Sequence, residues 1–464
     1  MSIIQGGRAQ FLKFSEPAQR GYRLALNFEF ENARKALAGS QTIDSRYVSS
    51  INEVLELLLT EDPALFTLYE ERFENRLFRN PKTNDEKFLL AEINLQWAFV
   101  YLKFGHELDA ASHFRDAYKI AMECRRKAPS YLPIRKTTGM LEVMVGAVPE
   151  KYTWIMDLFG IHGSIKNGLN DLDLIGASNE PVAAESKLIK ALIEGYVLQQ
   201  PSKAATDLHQ MMQTQQSHSL ALSAASLYIK SAQSEKALEL LKGVRQSNAL
   251  ADYFLGEVLL HKGQYHDAIE SYQRYIARYK GTNNLKDAWF KTGICFRLLG
   301  NTTAADSIFA IAREKGNDII EADRSAAKTM AAETPPNIVL TKARYSTDGG
   351  YYDEARAALS NISDVDLPLK RDRVEYYYRK ARLEHGTKHM DAAKIFYQQV
   401  IDMAGNEPWY FAPNSCLQMG YLLVDEKDEA RAKEYFKKAL GYKNHEYKNS
   451  IDSKAKTALN RLKK

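Results

Sequence analysis

The chain has 464 residues, 45% hydrophobic and 26% charged, a composition that fits a packed protein and excludes a disordered one. That is too long for one compact core of usual size, so the chain is either several domains or an array whose core lengthens with every added unit. The net charge of +5 is uneven: residues 427–464 hold 12 Lys and Arg against 5 Asp and Glu, leaving the remainder slightly acidic.

Apolar runs are short and broken by residues such as Glu56 and Glu142, far below the roughly 20 apolar residues of a membrane-spanning helix. The opening MSIIQGGRAQFLKF lacks the basic-then-apolar layout of a secretion signal. The expectation is a soluble, cytoplasmic protein. Cys124, Cys295 and Cys416 are scattered, with no CxxC pair, as expected of buried thiols in a reducing compartment.

Taken in order, residues 16–40 read as a degenerate helical hairpin, with Gly21, Leu24, Ala33 and Leu37 at the repeating positions. Residues 44–59 form an amphipathic helix. Glu61, Asp62 and Pro63 read as the start of the next one. Residues 88–104 and 107–124 form a second hairpin, marked by Trp97, Ala98, Tyr101, Gly105, Ala110, Phe114 and Ala117. Residues 136–173 are less regular: two apolar helices broken at Val148-Pro149, a turn at 160–163, then a helix capped by Ser164. Hairpins follow at 185–214 and 220–245.

The plainest part of the chain is 252–312. Gly256, Leu259, Gly263, Ala268, Tyr272 and Tyr275 are followed by Trp289, Gly293, Phe296, Gly300, Ala305, Phe309 and Ala312. Small residues fall where two antiparallel helices cross, large ones fill the space around them, and a glycine ends the first helix. This is the tetratricopeptide pattern, and it predicts an all-α fold, a right-handed superhelix of stacked helix pairs. A break at Pro335-Pro336 precedes three more hairpins, around Gly350 and Ala355, over 374–401 and over 414–440. A basic capping helix is expected at 451–463. The expected divisions are 1–180, degenerate repeats with an atypical apolar hairpin; 181–330, regular repeats; and 338–464, C-terminal repeats.

Gly139, Val148-Pro149, Leu158-Phe159-Gly160-Ile161-His162-Gly163 and Gly168-Leu169-Asn170-Asp171-Leu172 resemble a signature of the inclusion-body-clearance family, also called the tetratricopeptide-39 family. The resemblance extends over about 21–300. It implies an all-α repeat fold and no known catalytic residue.

No phosphate-binding loop, dinucleotide-binding glycine motif or nucleophile elbow occurs. His385 and His389 stand at helical spacing but beside Gly386, with no third ligand nearby in sequence, so no metal or other cofactor is expected. Asp425-Glu426 reads as helix-start charge. The expected function is therefore non-enzymatic: a scaffold or adaptor holding a protein or peptide on the concave face.

In such a superhelix the first helix of each pair lines that face. Its off-core residues are Tyr253, Glu257, Leu260 and His261, then Phe290, Lys291, Ile294 and Arg297, and in the last repeat Leu417, Tyr421 and Val424. Aromatic and Arg side chains there suit peptide anchoring. Tyr253 and Glu257 replace the basic residue and Asn of a carboxylate-tail clamp, so that tail is not expected as ligand. The alternative is an anionic surface or nucleic acid on the basic C-terminal helices, with Lys437, Lys438, Lys443, Lys448, Lys454, Lys456, Arg461, Lys463 and Lys464 as contacts and Tyr442 and Tyr447 as stacking rings. A solvated cap explains the same lysines.

Overall fold

A computed structural model describes residues 13–78, 80–147, 160–332 and 334–462. Among these residues the regular structure is helical, with no strand. The fold is an all-α helical repeat solenoid. We number its helices α1 (Glu16–Leu26), α2 (Phe30–Leu37), α3 (Ile43–Thr60), α4 (Pro63–Arg76), α5 (Asn84–Phe104), α6 (Glu107–Lys127), α7 (Ile134–Gly146), α8 (Ile165–Gly176), α9 (Ala183–Leu192), α10 (Pro201–Met211), α11 (His218–Lys230) and α12 (Ser234–Val244). The series continues with α13 (Ala249–Lys262), α14 (Tyr265–Arg278), α15 (Leu285–Leu298), α16 (Thr302–Glu314), α17 (Glu321–Ala331), α18 (Ile338–Gly349), α19 (Tyr352–Ser360), α20 (Lys370–Gly386), α21 (Met390–Ala404), α22 (Phe411–Asp425), α23 (Glu429–Gly441) and α24 (Lys448–Arg461).

The repeat logic is visible in the α13–α14 and α15–α16 pairs. A Cβ placed on Gly256 would come within 2.7 Å of the Tyr272 ring, and one on Gly293 within 2.5 Å of Phe309. The glycines are therefore the price of bringing each aromatic flat against the facing helix. Gly263 and Gly300 end their helices in the left-handed region, at φ of 81° and 80°, where any side chain is strained. Ala268, Ala288, Ala305 and Ala312 are fully buried at the crossings.

The atypical hairpin obeys the same rule. A Cβ on Gly139 would lie 2.9 Å from the Gly168 carbonyl, and one on Gly168 would lie 2.5 Å from that of Gly139. The two glycines let α7 and α8 touch backbone to backbone. Ser164 caps α8 through the Asn167 amide at 3.3 Å. Val148-Pro149 and Leu158-Phe159 lie outside the described residues.

Three larger apolar cores run along the array, one built mainly from residues 18–182, one from 191–345 and one from 374–458. Contacts between distant repeats join them. The Glu61 carboxylate accepts from the Tyr279 hydroxyl at 2.7 Å and the Thr282 amide at 3.2 Å, and pairs with Lys103 at 3.3 Å. Glu61 is thus a buried anchor that ends α3; only Asp62 does the expected helix-start work, accepting from the Ala64 amide. Asp425 and Glu426 likewise end α22 rather than start a helix.

The largest departure from the sequence reading follows the Pro335-Pro336 break. Helix α18 does not merely continue the stack. It turns back onto α13 and also touches α11 and α15, filling the concave side of the middle repeats. A Cβ on Gly350 would lie 2.0 Å from the Ala232 carbonyl, and the Tyr351 hydroxyl donates to Glu235 at 2.9 Å. At the far end, Arg461 of α24 donates to the Leu198 carbonyl at 3.3 Å, and the Tyr447 hydroxyl meets that of Ser325. The C-terminal repeats therefore curl round to face α10, α11 and α17.

Candidate functional site

Most of the residues expected on an open concave face are not open. The Tyr253 hydroxyl donates to Asp287 at 2.6 Å, and its ring stacks under the Lys291 ammonium. Lys291 pairs with Asp287 at 2.8 Å and with Glu257. His261 Nε2 stands 3.3 Å from Glu257, its Nδ1 is 3.3 Å from the Ser234 hydroxyl, and its ring stacks on Tyr345 of α18. Burial alone would raise the Glu257 carboxyl, but Lys291 and His261 outweigh it and hold it well below the usual carboxylate range. Burial would also strip the Lys291 proton, yet Asp287 and Glu257 hold its pKa well above the ordinary lysine value.

The expectation of free side chains is corrected for Tyr253, Glu257, Leu260, His261, Phe290, Lys291 and Ile294. Tyr253, Leu260, His261, Phe290 and Ile294 are buried, and Glu257 and Lys291 are paired in place; α18 packs on α13 and touches α15, which closes the face over His261. Leu417 is buried in the C-terminal core. Arg297, Tyr421 and Val424 are half-buried.

Three of the expected residues, Phe290, Ile294 and Arg297, nevertheless meet at a recess of about 400 Å³ between α15, α16, α17 and the proline break. Phe290, Ile294, Phe309 and Met330 give it an apolar floor, and Pro335-Pro336 close one side. Arg297 and Arg313 stand at its rim. Among the described residues each guanidinium donates to a backbone carbonyl, Pro336 at 3.5 Å and Met330 at 3.4 Å. Neither has a carboxylate within 4 Å among the described residues. Sequence reasoning paired Phe290 with Arg297 but missed Phe309, Met330 and Arg313, because the repeat pattern assigns those to a second helix and to a helix outside the hairpin.

Tyr421 belongs elsewhere, to an open cavity of about 420 Å³ lined by residues of α11, α18, α20, α22 and α24. Lys230, Arg344, Arg379, Arg382 and Lys454 converge on it, with Tyr378, Tyr410 and Tyr447. Its inner wall is cross-linked. Arg379 makes a two-pronged bond to Glu375 at 2.6 and 3.0 Å and also donates to the Tyr410 hydroxyl at 2.9 Å; the Asn414 amide donates to Tyr378 at 2.6 Å. Residues 193–197 form a π turn just before the cavity wall at Gln199 and Pro201. Such wide turns recur beside functional sites. Of the basic residues named for the C-terminal helices, Lys454 faces this cavity, whereas Lys448 pairs with Asp452 at 2.6 Å. Lys463 and Lys464 lie outside the described residues.

His385 hydrogen-bonds to the Tyr397 hydroxyl at 3.1 Å and His389 to Glu384 at 2.6 Å, so each ring has its own partner on or beside α20. All three cysteines are buried and free. No helix among the described residues is long and apolar enough to cross a membrane.

Tetratricopeptide-repeat family models match residues 222–282, 287–315, 374–407 and 413–445. Those segments are tetratricopeptide repeats. A search of curated proteins gives no match. Among solved structures, a tetratricopeptide repeat protein from Parabacteroides merdae is 16% identical, covering 59% of this chain and 98% of that one, with a TM-score of 0.26. The C-terminal part of a repeat-containing protein from Cytophaga hutchinsonii is 15% identical, covering 57% and 98%, with a TM-score of 0.25. Human IFIT1, solved as a dimer with PPP-AAAA, is 12% identical, covering 92% and 95%, with a TM-score of 0.33.

Proposed function

We propose that this chain is a non-enzymatic cytoplasmic scaffold that holds a protein partner by a short peptide segment. The observation that carries the reading is the recess floored by Phe290, Ile294, Phe309 and Met330 and rimmed by Arg297 and Arg313. An apolar floor anchors one large side chain of the partner. Two guanidiniums without a carboxylate suit an acidic residue next to that anchor. The middle of the concave face is closed by α18, so a partner segment engages at this edge.

The resemblance to the inclusion-body-clearance family supports a repeat scaffold. Two of its motif residues, Gly139 and Gly168, are accounted for by helix packing, so they do not themselves argue for a role in clearing aggregates.

The test is affinity capture with quantitative mass spectrometry, comparing the native chain with an Arg297→Glu, Met330→Lys variant of unchanged melting temperature. The expected result is a defined set of proteins lost with the variant. Retention of the whole set removes this site.

A further inference from the structure

The cavity between α11, α18, α20, α22 and α24 carries more positive charge than the protein neutralises. Its five cations come from four helices far apart in sequence, at positions 230, 344, 379, 382 and 454. Two carboxylates oppose them. Glu375 is consumed by Arg379 from behind, and Asp348 lies 3.7 Å from Arg344. Lys230, Arg382 and Lys454 have no carboxylate within 4 Å among the described residues. Lys230 lies over the Tyr196 ring, 5.4 Å from its centre. Burial pushes Lys454 down to about 8, and repulsion from Lys230 and Arg382 adds to the effect.

A fold does not need such an arrangement. The adjoining recess of about 270 Å³ shares Arg344, Tyr410 and Tyr447 with the cavity, and three of its own cations are paired. Arg324 pairs with Glu321 at 3.2 Å, Arg371 with Glu446 at 3.7 Å and Lys448 with Asp452 at 2.6 Å. Most cations are paired on one side of the shared wall, whereas Lys230, Arg382 and Lys454 are left without a carboxylate within 4 Å on the other, among the described residues.

We propose that the cavity binds an oligophosphate: an anion of three or more charges whose many equivalent oxygens meet guanidinium forks and ammonium groups together. A single carboxylate would leave most of the excess charge in place. An uncharged ligand would leave all of it. Arg344 and Arg382 offer planar forks suited to phosphate oxygens, and Lys230 and Lys454 offer compact point charges. Asn414 and Gln418 add amide donors on the α22 wall. A volume of about 420 Å³ lies in the range of small-molecule sites. Tyr421 and Tyr447 also line the cavity and suit a ring attached to the phosphates. The same chemistry is presented by a free inorganic oligophosphate and by a nucleoside triphosphate. This site is separate from the partner recess, and neither reading depends on the other.

The test is calorimetric titration of the full chain at low salt with sodium tripolyphosphate, orthophosphate, adenosine triphosphate and a hexaglutamate peptide. Saturable one-to-one binding is expected, with tripolyphosphate at least about tenfold tighter than orthophosphate. Arg382→Gln with Lys454→Met should weaken it about 100-fold, roughly tenfold for each charge-assisted bond lost. Lys437→Gln with Lys438→Gln, on the exposed face of α23, should leave it unchanged. Equal affinity for the two triphosphates assigns the inorganic group, and tighter binding of the nucleotide assigns a nucleotide with its ring on the tyrosines. No saturable binding of either, a double variant that binds like the native chain, or hexaglutamate binding as tightly as tripolyphosphate would overturn the proposal. If the double variant does not fold, Lys230→Met, at an exposed position on α11, carries the test with an expected loss of about tenfold.

Discussion

Replacing Lys454 by methionine should make the protein more stable, although it removes a charge from a basic, solvent-reached cavity. Methionine keeps the apolar stem against α24 and its neighbours and deletes the ammonium. The groups around that ammonium are Lys230 on α11, Arg382 on α20, Arg344 and Asp348 on α18, Glu321 on α17 and Tyr421 on α22, with cations in excess. The fall from 10.5 to about 8 corresponds to about 3 kcal/mol at roughly 1.4 kcal/mol per pH unit. Water in the cavity screens part of this, leaving about 1–2 kcal/mol.

The pH dependence gives the sign. A lysine depressed in the fold costs nothing well above 10.5, where it is neutral in both states; the cost grows as pH falls toward 8 and is constant below. Urea unfolding at about pH 7.5 should therefore show Lys454→Met more stable than the native chain, and at about pH 10 the gap should shrink to roughly a quarter. A variant less stable at both pH values would refute the reasoning, because it would mean that the ammonium is paired in solution.

Gly256→Ala should destabilise by about 1–3 kcal/mol, since its Cβ would press on the fully buried Tyr272 ring; thermal unfolding measures it. Glu257→Gln should cost about 3 kcal/mol by leaving Lys291 with Asp287 alone in the interior, read by the same assay. The thiols should react slowly with an aromatic disulfide reagent in the native chain and give three equivalents after denaturation. All three are buried, and burial pushes Cys416 up to about 12. One fast thiol would contradict the packing around it.

Local structure was legible in the sequence because the repeat fixes it within a few residues. Gly256 with Tyr272 and Gly293 with Phe309 are contacts inside one hairpin, and Gly263 and Gly300 mark helix ends by their own conformational freedom. The concave face was not legible. Whether Tyr253, Glu257 and Lys291 meet solvent depends on where α18 lands, some ninety residues later in the chain. That in turn depends on superhelix curvature, which is a sum of small rotations rather than a motif. Glu61 was misread for the same reason: its partners, Tyr279 and Thr282, are more than two hundred residues away. The basic cavity joins Lys230 to Lys454, and no window of sequence contains both. One hint was available. Glu257 and Lys291 stand on the first helices of consecutive repeats with opposite charges, which points to a pair with each other rather than with a ligand.

The central claim is that α18 closes the middle of the concave face and confines binding to its edges. Hydrogen exchange measures this directly. Backbone amides of Ile338–Gly349 should be protected to the same degree as those of Ala249–Lys262, the helix they cover. Exchange of the α18 amides orders of magnitude faster than those of α13 would show a groove open in solution, and would return Tyr253, Glu257, His261 and Lys291 to the ligand-facing role first expected of them.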